Sequence, residues 1–92
     1  MPHVALPIDP QHPAFAGHFP GEPILPGVVL LDETLYALPG TGATRWQILA
    51  VKFHHPVRPG DRPVLEYHLT PAGVDFTIRV GTVTVVSGTA RA

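Results

Sequence analysis

Twelve prolines punctuate the 92 residues of this chain, and they bracket its one good helix candidate. A proline inside a helix removes a hydrogen bond and clashes with the preceding turn, at about 3 kcal/mol. Only the run GVVLLDETLYAL, from Gly27 to Leu38, is proline-free, helix-favouring and bracketed, with Pro26-Gly27 opening it and Pro39-Gly40 closing it. The chain therefore reads as one helix and a set of strands. His3 to Ile8 can form a short edge strand, because Pro7 bars it from a sheet interior. Asp9 to Gly17 reads as loop and Thr41 to Thr44 as a turn.

Period-two alternation marks the rest. Arg45 to His55 places Leu49, Val51 and Phe53 on one face. Val64 to Thr70 does the same with Leu65, Tyr67 and Leu69, and Val74 to Val80 with Val74, Phe76, Ile78 and Val80. Thr82 to Ala90 is a last β-rich run, and Pro56 to Pro63 is a loop around Pro59-Gly60-Asp61. One helix on one antiparallel sheet is an α+β domain. The expected core joins Val28, Leu31 and Leu35 to Leu49, Val51, Phe53, Leu65, Tyr67, Leu69, Phe76 and Ile78, with Trp46 at its edge.

Composition narrows the function. At 45% hydrophobic and 14% charged residues, the chain is globular and has apolar surface to hide by self-association. A formal net charge of −1 without a basic run argues against nucleic acid. There is no cysteine, so thiol nucleophiles, disulfides and thiolate metal ligands are excluded. The N-terminal MPHVALPIDPQHP lacks the pattern of a secretory signal, and no run approaches the roughly 20 apolar residues of a membrane span, so a cytoplasmic protein is expected over residues 1–92 as one domain.

The helix singles out an acid. At about 100° per residue, Val28, Leu31, Leu35 and Leu38 share one side, Asp32 lies on its flank, and Glu33 points almost the opposite way. A carboxylate on a buried face costs free energy unless it is paired or working. A local cap or a structural ion pair would explain Asp32 as well as a catalytic role would.

Upstream lies His18, in HFPGEPILPG, where Pro20, Pro23 and Pro26 stiffen the backbone. Histidine is suited to proton transfer near neutral pH. The helix that opens at Gly27 offers free N–H groups able to polarise a carbonyl oxygen, and a glycine lets a substrate approach closely. A base, an oxyanion-stabilising N–H and an acid together suit β-elimination of water from a 3-hydroxyacyl compound. The other histidines carry no such context. His54 and His55 point to opposite faces if they lie on a strand, and His3, His12 and His68 have no metal-ligand partner at useful spacing.

The segment GHFPGEPILPGVVLLDE resembles the signature of the β-hydroxyacyl-acyl-carrier-protein dehydratases of the FabA/FabZ type, most of all the short ApeI-like members. The likeness is densest from His12 to Leu35, with a weaker match in LAVKFHHPVRPGDRPVL. It implies a hot-dog fold, one central helix wrapped by an antiparallel sheet. It also implies that His18 is the base, that Asp32 is the acid, and that the N–H of Gly27 holds the thioester carbonyl. Phe19, Val28 and Tyr36 are expected beside the substrate. The family's site is built across a homodimer, the histidine from one subunit and the acid from the other, with no cofactor and no metal. An acyl carrier protein would deliver the substrate, and Lys52, Arg58 and Arg62 are candidates for docking its acidic surface. Tyr36 stands where better-known members often have a glutamine that helps position the acid. Two other readings stay open: an acyl thioesterase on the same fold, and a non-catalytic acyl-binding subunit.

Overall fold

The structure, a computed structural model, describes residues 2–17, 24–38 and 46–91. The chain runs β1 (His3–Ala5), α1 (Ala14–Gly17), α2 (Gly27–Ala37), β2 (Gln47–Phe53), β3 (Val64–Thr70), β4 (Gly73–Val80) and β5 (Val83–Arg91). The strands form one antiparallel sheet in the order β1-β3-β4-β5-β2, so β1 and β2 are its edges. The expected strands are all present, with bounds shifted by a residue or two. β1 is shorter than expected and stops before Pro7, and the expected loop before Gly17 contains the short helix α1.

Cross-strand register builds the core in rows. Leu65, Ile78, Val86 and Phe53 lie side by side across β3, β4, β5 and β2. The next row is Tyr67, Phe76, Gly88 and Val51, and the third is Leu69, Val74, Ala90 and Ile48. Gly88 belongs in this row because the Phe76 ring lies over it: a Cβ there would meet Phe76 Cζ at 2.6 Å. Leu65, Phe76, Ile78, Val74 and Val86 are all buried. Burial fades toward β2 and toward the end of β3, where Phe53 and Leu69 remain half exposed.

Four residues expected in the core are exposed: Phe53 and Leu69, at the fading edge, and Leu49 and Val28. In β2 the register shifts between Ile48 and Ala50, so Leu49 is an extra bulged residue and Ile48 takes the inward place. Leu49 is half exposed as a result. On α2 the buried residues are Leu30 and Thr34, followed by Leu38 at the C-cap. Val28, expected inside, is 66% exposed, while Leu31 and Leu35 pack at the margin of the core. The helix is apolar on most sides, so its pattern did not fix a face. The sheet selects the i, i+4, i+8 stripe centred on Thr34, whose hydroxyl donates to the Leu30 carbonyl at 2.8 Å and so leaves no polar atom unsatisfied.

Several core residues lie outside the regular elements. Leu6, Leu25 and Val57 are buried in loops, and Phe15 is buried from the short helix α1. The Leu25 N–H donates to the Val57 carbonyl at 2.8 Å, which ties the approach to α2 to the segment after β2. The Leu6 N–H likewise donates to Pro63 at 3.0 Å. These bonds use the backbone groups that proline-rich segments cannot satisfy in a ladder.

Candidate active site

Pro26, with φ −58° and ψ 140°, is the N-cap of α2 and provides no side-chain acceptor. The first helical N–H groups, beginning with Gly27, therefore have no capping side chain, and the positive end of the helix dipole lies there. Beside it opens a cavity of about 400 Å³ whose walls include Ile24, Leu25, Gly27, Leu30, Phe53 and Val57. The walls are mainly apolar and suit an acyl chain or another greasy arm. One side of Gly27 is already occupied: a Cβ there would lie 2.7 Å from Cε1 and Cζ of Phe53. The glycine's lack of a side chain thus accommodates Phe53 on that side.

His18 and Phe19 lie outside the described residues. Asp32 lies on α2 and is exposed, whereas Glu33 is half-buried. The expectation that Asp32 flanks the buried stripe and Glu33 faces solvent is therefore corrected. Asp32 stands almost opposite Thr34, on the outward stripe that also carries Val28 and Tyr36 at i−4 and i+4, and Tyr36 is 91% exposed. Gly27 is brought to the cavity, while Val28, Asp32 and Tyr36 face away from their own sheet.

The sequence reading missed the contribution of the segment after Phe53. His54, His55 and Pro56 also border the cavity. The strand ends at Phe53, so the two histidines are not alternate strand residues as expected. Both of their N–H groups turn to the Val85 carbonyl, at 2.8 and 3.4 Å, and His54 Nε2 lies 2.9 Å from Ser87 Oγ. The signal was a Pro directly after His-His, which ends a strand. Lys52, Arg58 and Arg62 are exposed around this same loop, where the Arg58 N–H donates to Asp61 Oδ2 at 2.9 Å. Among the described residues no helix is long and apolar enough to cross a membrane.

The antiparallel sheet with α2 packed on it defines the class as a hot-dog fold, matched over nearly the whole chain by solved structures. One comes from the dehydratase heterocomplex ApeI:P of Xenorhabdus doucetiae, with a TM-score of 0.79 and 29% identity over 97% of this chain and 83% of that one. Another is an uncharacterized protein from Erwinia carotovora subsp. atroseptica, with a TM-score of 0.67 and 28% identity over 97% of this chain and 77% of that one. A model of the ApeI-like family, described as ApeI dehydratase, matches residues 2–89, and the chain belongs to that family.

Similar sequences carry the name 3-hydroxyacyl-[acyl-carrier-protein] dehydratase FabZ. That of Aliarcobacter butzleri is 38% identical over 76% of this chain and 56% of its own length. That of Haemophilus influenzae (strain PittEE) is 34% identical over 85% of this chain and 60% of its own length. The chain thus spans roughly half to three-fifths of the curated relatives it matches.

Proposed function

We propose that this protein is a 3-hydroxyacyl-acyl-carrier-protein dehydratase whose site is shared by two copies of the chain. His18 of one copy removes the C2 proton of the 3-hydroxyacyl thioester. The N–H of Gly27 donates a hydrogen bond to the enolate-like oxygen, and electrons from the broken C2–H bond form the C2–C3 double bond. Asp32 of the other copy gives a proton to the 3-hydroxyl, which departs as water, leaving the trans-2-enoyl thioester. Proton abstraction and donation at adjacent carbons require one base and one acid held at fixed places.

The observation that carries this reading is the outward stripe of α2. It presents Val28, Asp32 and Tyr36 away from their own core, where a second copy can reach the acid. The sheet supplies the means. Among the described residues β2 pairs only with β5, is the last strand of the order, and exposes Leu49 and Phe53. A second copy along that edge would cover apolar surface and a free ladder together. Relatives named as dehydratases of acyl-carrier-protein substrates support the substrate class. The exposed Lys52, Arg58 and Arg62 support docking of an acidic carrier.

The test is hydration of a short enoyl thioester by the purified protein, followed by loss of enoyl absorbance with a thiol reagent present. Absorbance loss without thiol release, abolished in His18→Ala and in Asp32→Asn, is the expected result. Thiol release would make the protein a thioesterase. No turnover, on a carrier-linked substrate as well, would make it an acyl-binding subunit, a role for which a heterocomplex such as that of the Xenorhabdus chain gives a setting.

A further inference from the structure

The loop that leads to His18 is held by another histidine. Ala14 donates its N–H to His12 Nδ1 at 3.0 Å, and Phe15 donates its N–H to the His12 carbonyl at 3.0 Å. His12 thus caps the start of α1: its side chain and its carbonyl together accept the N–H groups of Ala14 and Phe15. Pro13 lies between them, in the turn just before the helix, where a missing N–H costs nothing and a fixed φ favours helix. The cap itself is fixed from upstream. The His12 N–H donates to the Asp9 carbonyl at 2.9 Å, and the Gln11 N–H donates to Asp9 Oδ1 at 2.8 Å. Phe15 then anchors the turn in the core, 5% exposed. α1 ends at Gly17, and His18 is the next residue in the chain.

A histidine is an unusual choice here, since Ser, Thr, Asp and Asn are the favoured N-caps. A ring nitrogen that accepts an N–H carries no proton, so His12 is held with its proton on Nε2. We propose that His12 is a positioning residue for the base of the dehydratase. Its ring caps α1, whose last residue, Gly17, directly precedes His18 in the sequence. The inference rests on the reading of His18 as the base under Proposed function. His12 acts through the turn and touches no reacting atom.

The loop itself supplies the conservative variant. Asp9 already makes an i to i+2 bond from a short side-chain oxygen to a backbone N–H, and Asn at position 12 can make the same bond to Ala14. Glutamine places its oxygen one carbon farther out and is not a favoured cap.

The experiment measures kcat and KM for enoyl-thioester hydration in His12→Ala, His12→Gln and His12→Asn, with thermal melts of each. In parallel, nitrogen NMR of the wild-type imidazoles reads which ring nitrogen of His12 carries the proton. The expected result is a kcat lowered about 10- to 100-fold in His12→Ala and His12→Gln with KM little changed, and recovered in His12→Asn. His12 should show an unprotonated, hydrogen-bonded Nδ1. A merely structural cap would lower the melting temperature without splitting kcat from KM, and that outcome overturns the positioning role. So does a proton on Nδ1, or turnover unaffected by loss of the ring. Absence of turnover in the wild-type chain would overturn the dehydratase reading and the positioning role with it, whereas turnover insensitive to His12→Ala removes the positioning role alone.

Discussion

The ring of Phe53 fills the place where a side chain on Gly27 would begin: Cε1 and Cζ stand 2.7 Å from the position of its Cβ. The end of β2 and the first residue of α2 are thereby packed as a pair, and the wall of the cavity depends on both. Gly27→Ala should bring the gain of a better helix former, yet force the ring outward. Overpacking of this kind costs about 1–3 kcal/mol. Because Phe53 is half exposed on an edge strand, its ring has room to swing, and the variant should fold. In a Phe53→Leu background the same substitution should cost much less, giving a coupling of about 0.5–3 kcal/mol in a double-mutant cycle by urea denaturation. Additive effects would mean that the two residues do not share this space in solution.

The bulge at Leu49 carries a second prediction. The extra residue turns a large aliphatic side chain outward on the free strand of the sheet. If a second copy covers that edge, Leu49→Lys should shift the protein from dimer to monomer in sedimentation equilibrium while leaving the far-UV spectrum unchanged. Hydration activity should fall with the dimer population. A wild-type chain that sediments as a monomer at the assay concentration would remove the shared-edge arrangement.

A site shared by two copies has a stricter consequence. His18→Ala and Asp32→Asn should each be inactive alone, since every site then lacks its base or its acid. Mixed after unfolding and refolded together, equal amounts should form heterodimers in which one site is intact and the other doubly defective. Random pairing then restores about a quarter of the wild-type rate. A mixture as inactive as its components would place His18 and Asp32 of the same copy in one site.

The strands were legible in the sequence because each carries its own alternation and turn signal. Leu65, Phe76 and Ile78 fall in the core for that reason. Gly27 to Leu38 was legible as a helix because prolines bracket it, but its face was not. Val28, Val29, Leu30, Leu31 and Leu35 leave few polar positions to orient it, and Thr34, itself a polar residue, is buried at the centre of the contact. Asp32 was consequently placed at the flank of the core when it stands outward. The bulge at Leu49 was hidden for a similar reason: ILAV is apolar in both registers, and only pairing with β5 decides which residue is extra. His12 looked ordinary because its role is a backbone bond, and the His-Pro-Ala order that permits it signals a cap only when the turn is seen.

The hairpin at the far end of the sheet offers a prediction that separates two causes of glycine dependence. Gly60 has φ +90° in the Pro59-Gly60 turn, and a Cβ there would meet nothing within 4 Å. Gly60→Ala therefore costs only the backbone strain of a left-handed residue, about 1–2 kcal/mol. Gly73, at φ +151°, opens β4 after the Pro71-Ala72 turn, and Thr70 Oγ1 takes its N–H at 3.1 Å. A Cβ at Gly73 would run into the carbonyl oxygen of Ala90 on β5, which is backbone and cannot move aside without breaking the β4–β5 ladder. Gly73→Ala should thus add overpacking to strain and lose about 2–5 kcal/mol, seen as a clearly lower urea midpoint than that of Gly60→Ala at equal slope. The loss should reach function through β5, which is the strand that holds β2 and, with it, Phe53 at the mouth of the cavity. Equal midpoints for the two variants would show that the Gly73 turn is free to re-form with its Cβ away from Ala90.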